Sequence, residues 1–514
     1  MSNQKSDNNK RIAKNTLLLY VRMLFNLIVT LYTSRVILQA LGVEDMGIYN
    51  VVGGIVTMSQ VVTSSISNAI SRFLTFELGK GNIEKLRETF STSVTVLIML
   101  SVIIFLVAEF GGLYFVNEVL NISDNRIVAA RYVLLFSALT FCVNMISVPY
   151  NASIISHEKM DIYAYVGIFE VVMKLVVAYA IMIFASVDKL ILYAILLFGV
   201  SLVIRAFYGI YCGKSFQECK FYFGWNRSIF KELLSFSSWN FLENLANVFK
   251  SQGVSMLVNV FFGVTINAAQ AIANQVSNAI QQFSNNFVTA VTPQIIKSYA
   301  EGNIEEMLKL TNKASRFSFY ITLLIGFPIA SNLIWILNLW LHTVPDYTGS
   351  FILLIIIWIL FEVLSQPVLK IIIATGKIRK YQIGISVIMF ANFPLSYITL
   401  KIGLGPNSIY VVSVVTCFIA MIYRILTIKR LLPQINFKSF CFGLLYQPLG
   451  LLVCTIMMYY VLRELYVTPS FMQALSSIFM EMALVVLILF WGMSLSERNF
   501  IQNILISKIR KWIR

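Results

Sequence analysis

The sequence predicts an all-α polytopic membrane protein of 14 transmembrane helices, built as two parallel six-helix repeats around a central cavity with two further helices at the C-terminus. Three observations carry that prediction. The 514-residue chain is 58 % hydrophobic and 12 % charged, with a mean hydropathy of +0.77, whereas a soluble chain is about 45–50 % apolar and about 25 % charged. Apolar runs near the ~20 residues that cross a bilayer recur along the whole length. Finally, the chain repeats itself: at an offset of 221 residues Gly81-Asn82-Ile83-Glu84 falls on Gly302-Asn303-Ile304-Glu305.

Taken in order, residues 1–15 are polar and form a cytoplasmic N-terminus. Six spans follow at 16–41, 47–72, 91–116, 127–155, 161–186 and 189–213, making an N-terminal bundle over 16–213. A cytoplasmic linker, 214–231, leads to spans at 232–262, 266–296, 314–341, 349–376, 381–401 and 407–428, a C-terminal bundle over 232–432. Spans 13 and 14 occupy 441–463 and 470–495, and a basic cytoplasmic tail covers 496–514. The runs are too long for barrel strands and do not alternate in polarity. The first run continues to Leu41 without a small-residue cleavage site, so it reads as a retained span and not a signal peptide.

Forty Lys and Arg against 24 Asp and Glu leave a net charge of +16. Assigning alternate loops to alternate sides puts 27 basic residues on one side and four, Arg126, Lys189, Lys401 and Arg463, on the other. By the positive-inside rule both termini are cytoplasmic and the number of spans is even. The basicity is therefore topology, with anionic lipid head groups and not nucleic acid as its expected partner. The six cysteines, in apolar runs or on the cytoplasmic side, suggest neither a disulfide framework nor a metal site.

The repeat continues at an offset of 218, where Ser147, Pro149, Lys159 and Tyr163 match Ser365, Pro367, Lys377 and Tyr381. Six helices per copy give both copies the same orientation, a parallel repeat of the kind transporters use for alternating access.

Polar side chains recur at steps of three and four in span 7 (Asn240, Glu243, Asn244, Asn247, Lys250, Ser251) and span 8 (Gln270, Asn274, Ser277, Asn278, Gln281, Asn285). Their repeat partners agree: Arg22, Asn26, Thr30 and Thr33 in span 1, and Thr57, Gln60, Ser64, Ser67, Asn68 and Ser71 in span 2. Spacing of this kind makes a stripe on one helical face, and four aligned stripes predict the walls of a wet cavity. The competing reading is that the amides glue helices together. Charges inside spans cost roughly 2.5–3.5 kcal/mol each on insertion scales, which singles out Arg22, Arg35, Glu170, Lys174, Lys250, Glu362 and Lys370. Arg22 and Arg35 also fit snorkelling anchors, and Glu170 with Lys174, one turn apart, also fits a structural ion pair. A cation-rich wet cavity suits an anion, a diphosphate above all.

Enzyme chemistry is not expected. Loops are short, no phosphate-binding GxxxxGK[ST] exists, His157 and His342 are isolated, and the six aspartates form no Asp-x-Asp pair. No cofactor or metal is expected.

Asn15-Thr16-Leu17, Tyr32-Thr33-Ser34-Arg35, the run Leu41-Gly42-Val43-Glu44-Asp45-Met46-Gly47-Ile48-Tyr49 and Phe76-Glu77-Leu78-Gly79-Lys80-Gly81-Asn82 together resemble the polysaccharide-transporter branch of the multidrug/oligosaccharidyl-lipid/polysaccharide (MOP) exporter superfamily, in particular the O-antigen (Wzx-type) flippases and related lipopolysaccharide or capsule exporters. The resemblance implies a V-shaped bundle in the bacterial inner membrane. It would move a polyprenyl-diphosphate-linked oligosaccharide from the cytoplasmic to the periplasmic leaflet by ion-coupled alternating access, alongside polysaccharide polymerase and chain-length machinery. The expected substrate-binding residues are Arg22, Asn26, Arg35, Lys174, Asn247, Lys250, Asn274, Gln281 and Lys370, with Glu170 and Glu243 for ion coupling. A lipid II flippase and an ion-coupled multidrug exporter of the same superfamily are the alternatives.

Overall fold

A computed structural model describes residues 2–57, 60–119, 122–183, 188–220, 224–340, 344–465, 478–483, 485–486 and 498. The described residues form thirteen α-helices joined by short turns: α1 (Ser2–Thr57), α2 (Gln60–Lys80), α3 (Ile83–Tyr114), α4 (Ile127–Ser156), α5 (Met160–Ile183), α6 (Lys189–Ser215), α7 (Arg227–Ala300), α8 (Ile304–Ser331), α9 (Leu333–Trp340), α10 (Thr348–Thr375), α11 (Arg379–Lys401), α12 (Asn407–Leu431) and α13 (Phe437–Leu465). Of the expected span 14, only 478–483 and 485–486 lie within the described residues, and they are helical.

Ten of these segments are long and apolar enough to cross a membrane. They correspond to the expected spans 1, 3, 4, 5, 6, 9, 10, 11, 12 and 13. Spans 2, 7 and 8 are not among these ten; they carry three of the four polar stripes, and span 2 runs across residues 58–59, which lie outside the described residues. The sequence separates spans 7 and 8, but the chain is helical throughout α7, 74 residues in all. A straight helix of that length would run about 110 Å. Its two ends, 227–245 and 289–300, belong to one compact unit and its middle, 246–288, to the other. In α1 a kink lies at Gly42, at φ 81° and ψ 176°, a backbone conformation that interrupts the helix.

Two compact units are present. The first comprises 1–245, 289–304 and 373–383, and the second 246–288, 305–372 and 384–514. In the first, α1 packs on α5 and α4, and α4 on α6, α3 and α2; Leu19, Met160 and Ala290 form one buried cluster there. In the second, Val254, Leu257, Val258, Leu400 and Ile409 form another.

Local signals set the helix ends. Asp188 caps α6 by accepting from the Leu190 and Ile191 amides at 3.0 and 3.3 Å, and Asn226 caps α7 by accepting from Ser228 and Ile229 at 3.0 and 3.2 Å. The sequence repeat is also a structural repeat. Gly81 and Gly302, matched at offset 221, both have positive φ, 71° and 77°. Gly81 and Asn82 donate to the Leu78 and Glu77 carbonyls, and Gly302 and Asn303 donate to the matched Tyr299 and Ser298 carbonyls; this is a helix-ending pattern that glycine permits. At offset 218 the turn after α4 matches the turn after α10: Glu158 has φ 59° and Gly376 φ 72°. A left-handed conformation costs a side-chain-bearing residue roughly 1–2 kcal/mol, which Glu158 bears and Gly376 avoids.

In the first unit Arg126 forms ion pairs with Asp45 and with Asp188, the latter at 2.6 Å, and Lys85 pairs with Glu77 at 3.4 Å across the turn between α2 and α3.

Candidate transport site

In the first unit the structure brings Arg22, Glu170 and Lys174 to one neighbourhood of α1 and α5. The Arg22 guanidinium sits 4.1 Å from the centre of the Tyr163 ring, a cation–π contact. It also fills the space beside Gly167, where a β-carbon would lie 2.2 Å from its Nε. That Nε is buried and has no hydrogen-bond partner. Asn26, one turn further along α1, has a buried Oδ1 in the same condition. An unsatisfied buried guanidinium N–H is costly and leaves α1 with cationic donor capacity that the protein does not consume.

Lys174 donates to Glu170 at 2.7 Å across one helical turn, with both side chains substantially exposed. An exposed pair of this kind contributes little to stability. Arg35 is exposed and lies 13 residues beyond Arg22, about 20 Å along a helix at 1.5 Å per residue, so it does not share the Arg22 neighbourhood.

In the second unit Lys250 is half-buried, with its Nζ 4.9 Å from the Trp358 ring centre. It shares its electrostatic environment with Glu362, Cys417 and Arg424. Arg424, 2 % exposed, donates from Nη1 to both Glu362 oxygens at 3.1 Å and to Ser365 Oγ at 2.7 Å. Two cations thus face one carboxylate, and the trio carries a net positive charge inside the protein. Lys250 had no visible partner in the sequence; its partners come from α10 and α12.

The polar stripes divide into two sets. Some members glue helices: Asn240 is 4 % exposed and accepts from Gln382 at 2.9 Å, and Asn244 donates to Ser65 at 2.8 Å; Gln281 instead donates to Ser277 at 2.9 Å, one turn away on the same helix. Others, Asn247, Asn274, Asn278 and Asn285, are exposed. Glu243, Asn247 and Lys370 each take part in further contacts.

Sequence reasoning passed over Arg72, Glu158, Trp358 and Arg424. Arg424 was readable as a cation inside span 12, and Glu158 as the counterpart of a glycine at offset 218.

A profile of the family described as polysaccharide biosynthesis protein matches residues 10–298. A curated relative, the uncharacterized membrane protein EpsK of Bacillus subtilis (strain 168), is 20 % identical over 313 residues; the alignment covers 60 % of this chain and 60 % of that protein. Solved structures share the fold. A multidrug resistance MATE family transporter of the MOP superfamily in an outward-facing conformation superposes with a TM-score of 0.69 at 13 % identity, covering 82 % of this chain and 96 % of that one. A MOP superfamily transporter from Pyrococcus furiosus Vc1 (DSM3638), whose binding pocket is described as of reverse polarity, gives 0.66 at 15 % identity with the same coverage. A MATE protein in the bent conformation gives 0.70 at 14 %, covering 83 % and 97 %. With the family profile over more than half of its length, the chain belongs to the polysaccharide biosynthesis protein family, and its helices, ten of them long and apolar enough to cross a membrane, adopt the fold of those MOP superfamily transporters.

Proposed function

We propose that the protein is a flippase that carries a polyprenyl-diphosphate-linked oligosaccharide, an O-antigen, capsule or exopolysaccharide repeat unit, from the cytoplasmic to the periplasmic leaflet of the bacterial inner membrane. Both termini are cytoplasmic in this reading, and transport is ion-coupled alternating access between bundles 16–213 and 232–432. The observation that carries it is the surplus of cationic donors inside apolar helices: the unpartnered Nε of Arg22 and the net positive trio of Lys250, Arg424 and Glu362. Burying uncompensated cations is expensive, and a diphosphate supplies the missing negative charge.

Arg22, Lys174, Lys250, Arg35 and Lys370 hold the diphosphate in the course of transport, and Asn26, Asn247, Asn274 and Gln281 meet sugar hydroxyls. Glu170 and Glu243 couple to the driving ion; for Glu170 this means exchanging Lys174 for that ion. The polyprenyl tail remains in lipid. The polymerase and chain-length machinery would receive the product.

The multidrug reading has one supporting observation, the fold it shares with a multidrug resistance transporter. Export of cationic drugs calls for cavity carboxylates, and the cation excess described above favours the anionic lipid head instead.

The test is a deletion in the native host, followed by extraction of polyprenyl-linked intermediates and analysis of the surface polysaccharide. Loss of the polymer, with complete lipid-linked units held in the cytoplasmic leaflet, is the expected result. Normal polymer with altered drug sensitivity would overturn the reading.

A further inference from the structure

The two matched turns after α4 and α10 are each gripped by the opposite sequence repeat. In the first, the Glu158 side chain is fully buried. It accepts from Lys297 Nζ at 2.8 Å and from Gln294 Nε2 at 2.7 Å, both from the second repeat, and from Arg11 Nε at 2.7 Å. Asn15 Nδ2 donates to the Glu158 carbonyl at 3.2 Å. In the second turn, Arg72 of the first repeat donates from Nη2 to the Ala374 carbonyl at 3.0 Å and from Nε to that of Ile373 at 3.3 Å. It lies so close to Gly376 that a β-carbon there would be 2.7 Å from Nη2.

The helix ends that deliver these grips meet one another. A β-carbon on Gly79 of α2 would lie 3.0 Å from the β-carbon of Ala300 of α7. Gly79 and Ala300 are themselves matched at offset 221. A local twofold relation therefore passes between them, with one grip on either side. All of these residues lie in the first compact unit.

The second turn shows that glycine suits this geometry. Glutamate at the first is strained, so its presence is explained by its carboxylate, which recruits three donors from two distant segments. In a transporter built of parallel repeats that rock against each other, contacts joining the repeats at one end can exist in only one of the two access states.

We propose that Glu158 with Lys297 and Gln294, and Arg72 with the turn at Gly376, are a two-point latch that fastens the repeats at the basic end and opens in every transport cycle. The proposal rests on the alternating-access reading but not on the identity of the cargo. Opening hydrates the Glu158 carboxylate and its cations together, so neither side is left dry and unpaired. One grip is an ion pair and the other a guanidinium on backbone carbonyls, so added salt would act mainly on the first.

The experiment uses the full-length chain in membranes, with Gly79→Cys and Ala300→Cys introduced and a protease site placed in the linker 214–231. Oxidation followed by cleavage reports the disulfide, because the two fragments stay joined. At 3.0 Å the β-carbons stand closer than the usual disulfide range of about 3.5–4.5 Å, and the one at 79 would also lie 3.0 Å from the Lys297 α-carbon, so the two helix ends must part by about half an ångström. The expected result is efficient crosslinking that stops export and is reversed by reductant, with at least a threefold lower crosslinking rate in Glu158→Gln or Arg72→Gln. Lys297→Gln provides the same reading if Glu158→Gln does not accumulate. Full export by the crosslinked protein would overturn the latch, as would an unchanged crosslinking rate in these variants. If the deletion strain makes normal polysaccharide, the cargo assignment fails while the crosslinking rates still decide on the latch.

Discussion

The Arg22 guanidinium stacks on Tyr163 at 4.1 Å from the ring centre, and its Nε occupies the space that a β-carbon at residue 167 would need. Arg22 on α1 is thus held by a ring and a glycine of α5, and not by a carboxylate. A cation held by a π-face and shape keeps its charge available for an anionic ligand.

Gly167→Ala should therefore act on transport through Arg22. The added methyl displaces the guanidinium, and both Gly167→Ala and Arg22→Ala are expected to lower export at least tenfold at normal protein levels. A lost charge-assisted hydrogen bond of roughly 1.5–3 kcal/mol corresponds to about that factor or more. Surface polysaccharide normalised to membrane protein is the measurement, and Gly167→Ala with full export would disprove the link.

Lys250→Gln and Lys174→Gln separate two kinds of cation. Lys250 belongs to a buried, net positive trio, whereas Lys174 already faces Glu170 at 2.7 Å. Each is expected to reduce export tenfold or more if it meets the diphosphate, with little effect of Lys174→Gln on the melting temperature in detergent, since an exposed pair contributes about 0–1 kcal/mol. Intact export in both, with normal insertion, would refute the assignment.

The Arg424–Glu362 pair should matter for stability first. Arg424→Met leaves a buried carboxylate with Lys250 as its remaining named cation, and breaking such a pair costs about 3–5 kcal/mol. The double variant Arg424→Met/Glu362→Met removes both charges and is expected to recover most of that loss. Thermal unfolding in detergent checks both, and a double variant no better than the single one would contradict the account.

Gly376→Ala and Gly302→Ala form a controlled comparison. Both glycines have φ above 70°, so both substitutions carry backbone strain of about 1 kcal/mol. Only at 376 does the new β-carbon run into Arg72; at 302 nothing lies within 4 Å. Gly376→Ala should lower the melting temperature more than Gly302→Ala, and equal effects would show that the Arg72 contact adds nothing.

Much of the architecture was legible because it is written in local or additive properties. Hydropathy over ~20 residues marks a span wherever it occurs, and the polar stripes followed from helical spacing alone. The Lys174–Glu170 pair was readable too, being one turn apart on one helix. Spans 7 and 8 show the limit of this reading: Gly263 between them matches Gly42, which kinks α1, yet the chain is one helix throughout α7. The stripes themselves looked uniform, yet Asn240 is buried against Gln382 while Asn274 is exposed. Periodicity gives the face of a side chain but not what that face meets.

By itself the sequence determined that the chain is all-helical and spans a membrane many times, because bilayer insertion acts on each segment almost independently of its neighbours. Only the tertiary structure decided how the charges pair. Glu158 meets Lys297 across 139 positions of sequence, and Lys250 meets Trp358 through helices whose approach no local pattern specifies. In a medium that penalises every unpaired charge, those distant encounters determine which cations are structural and which retain capacity for a ligand.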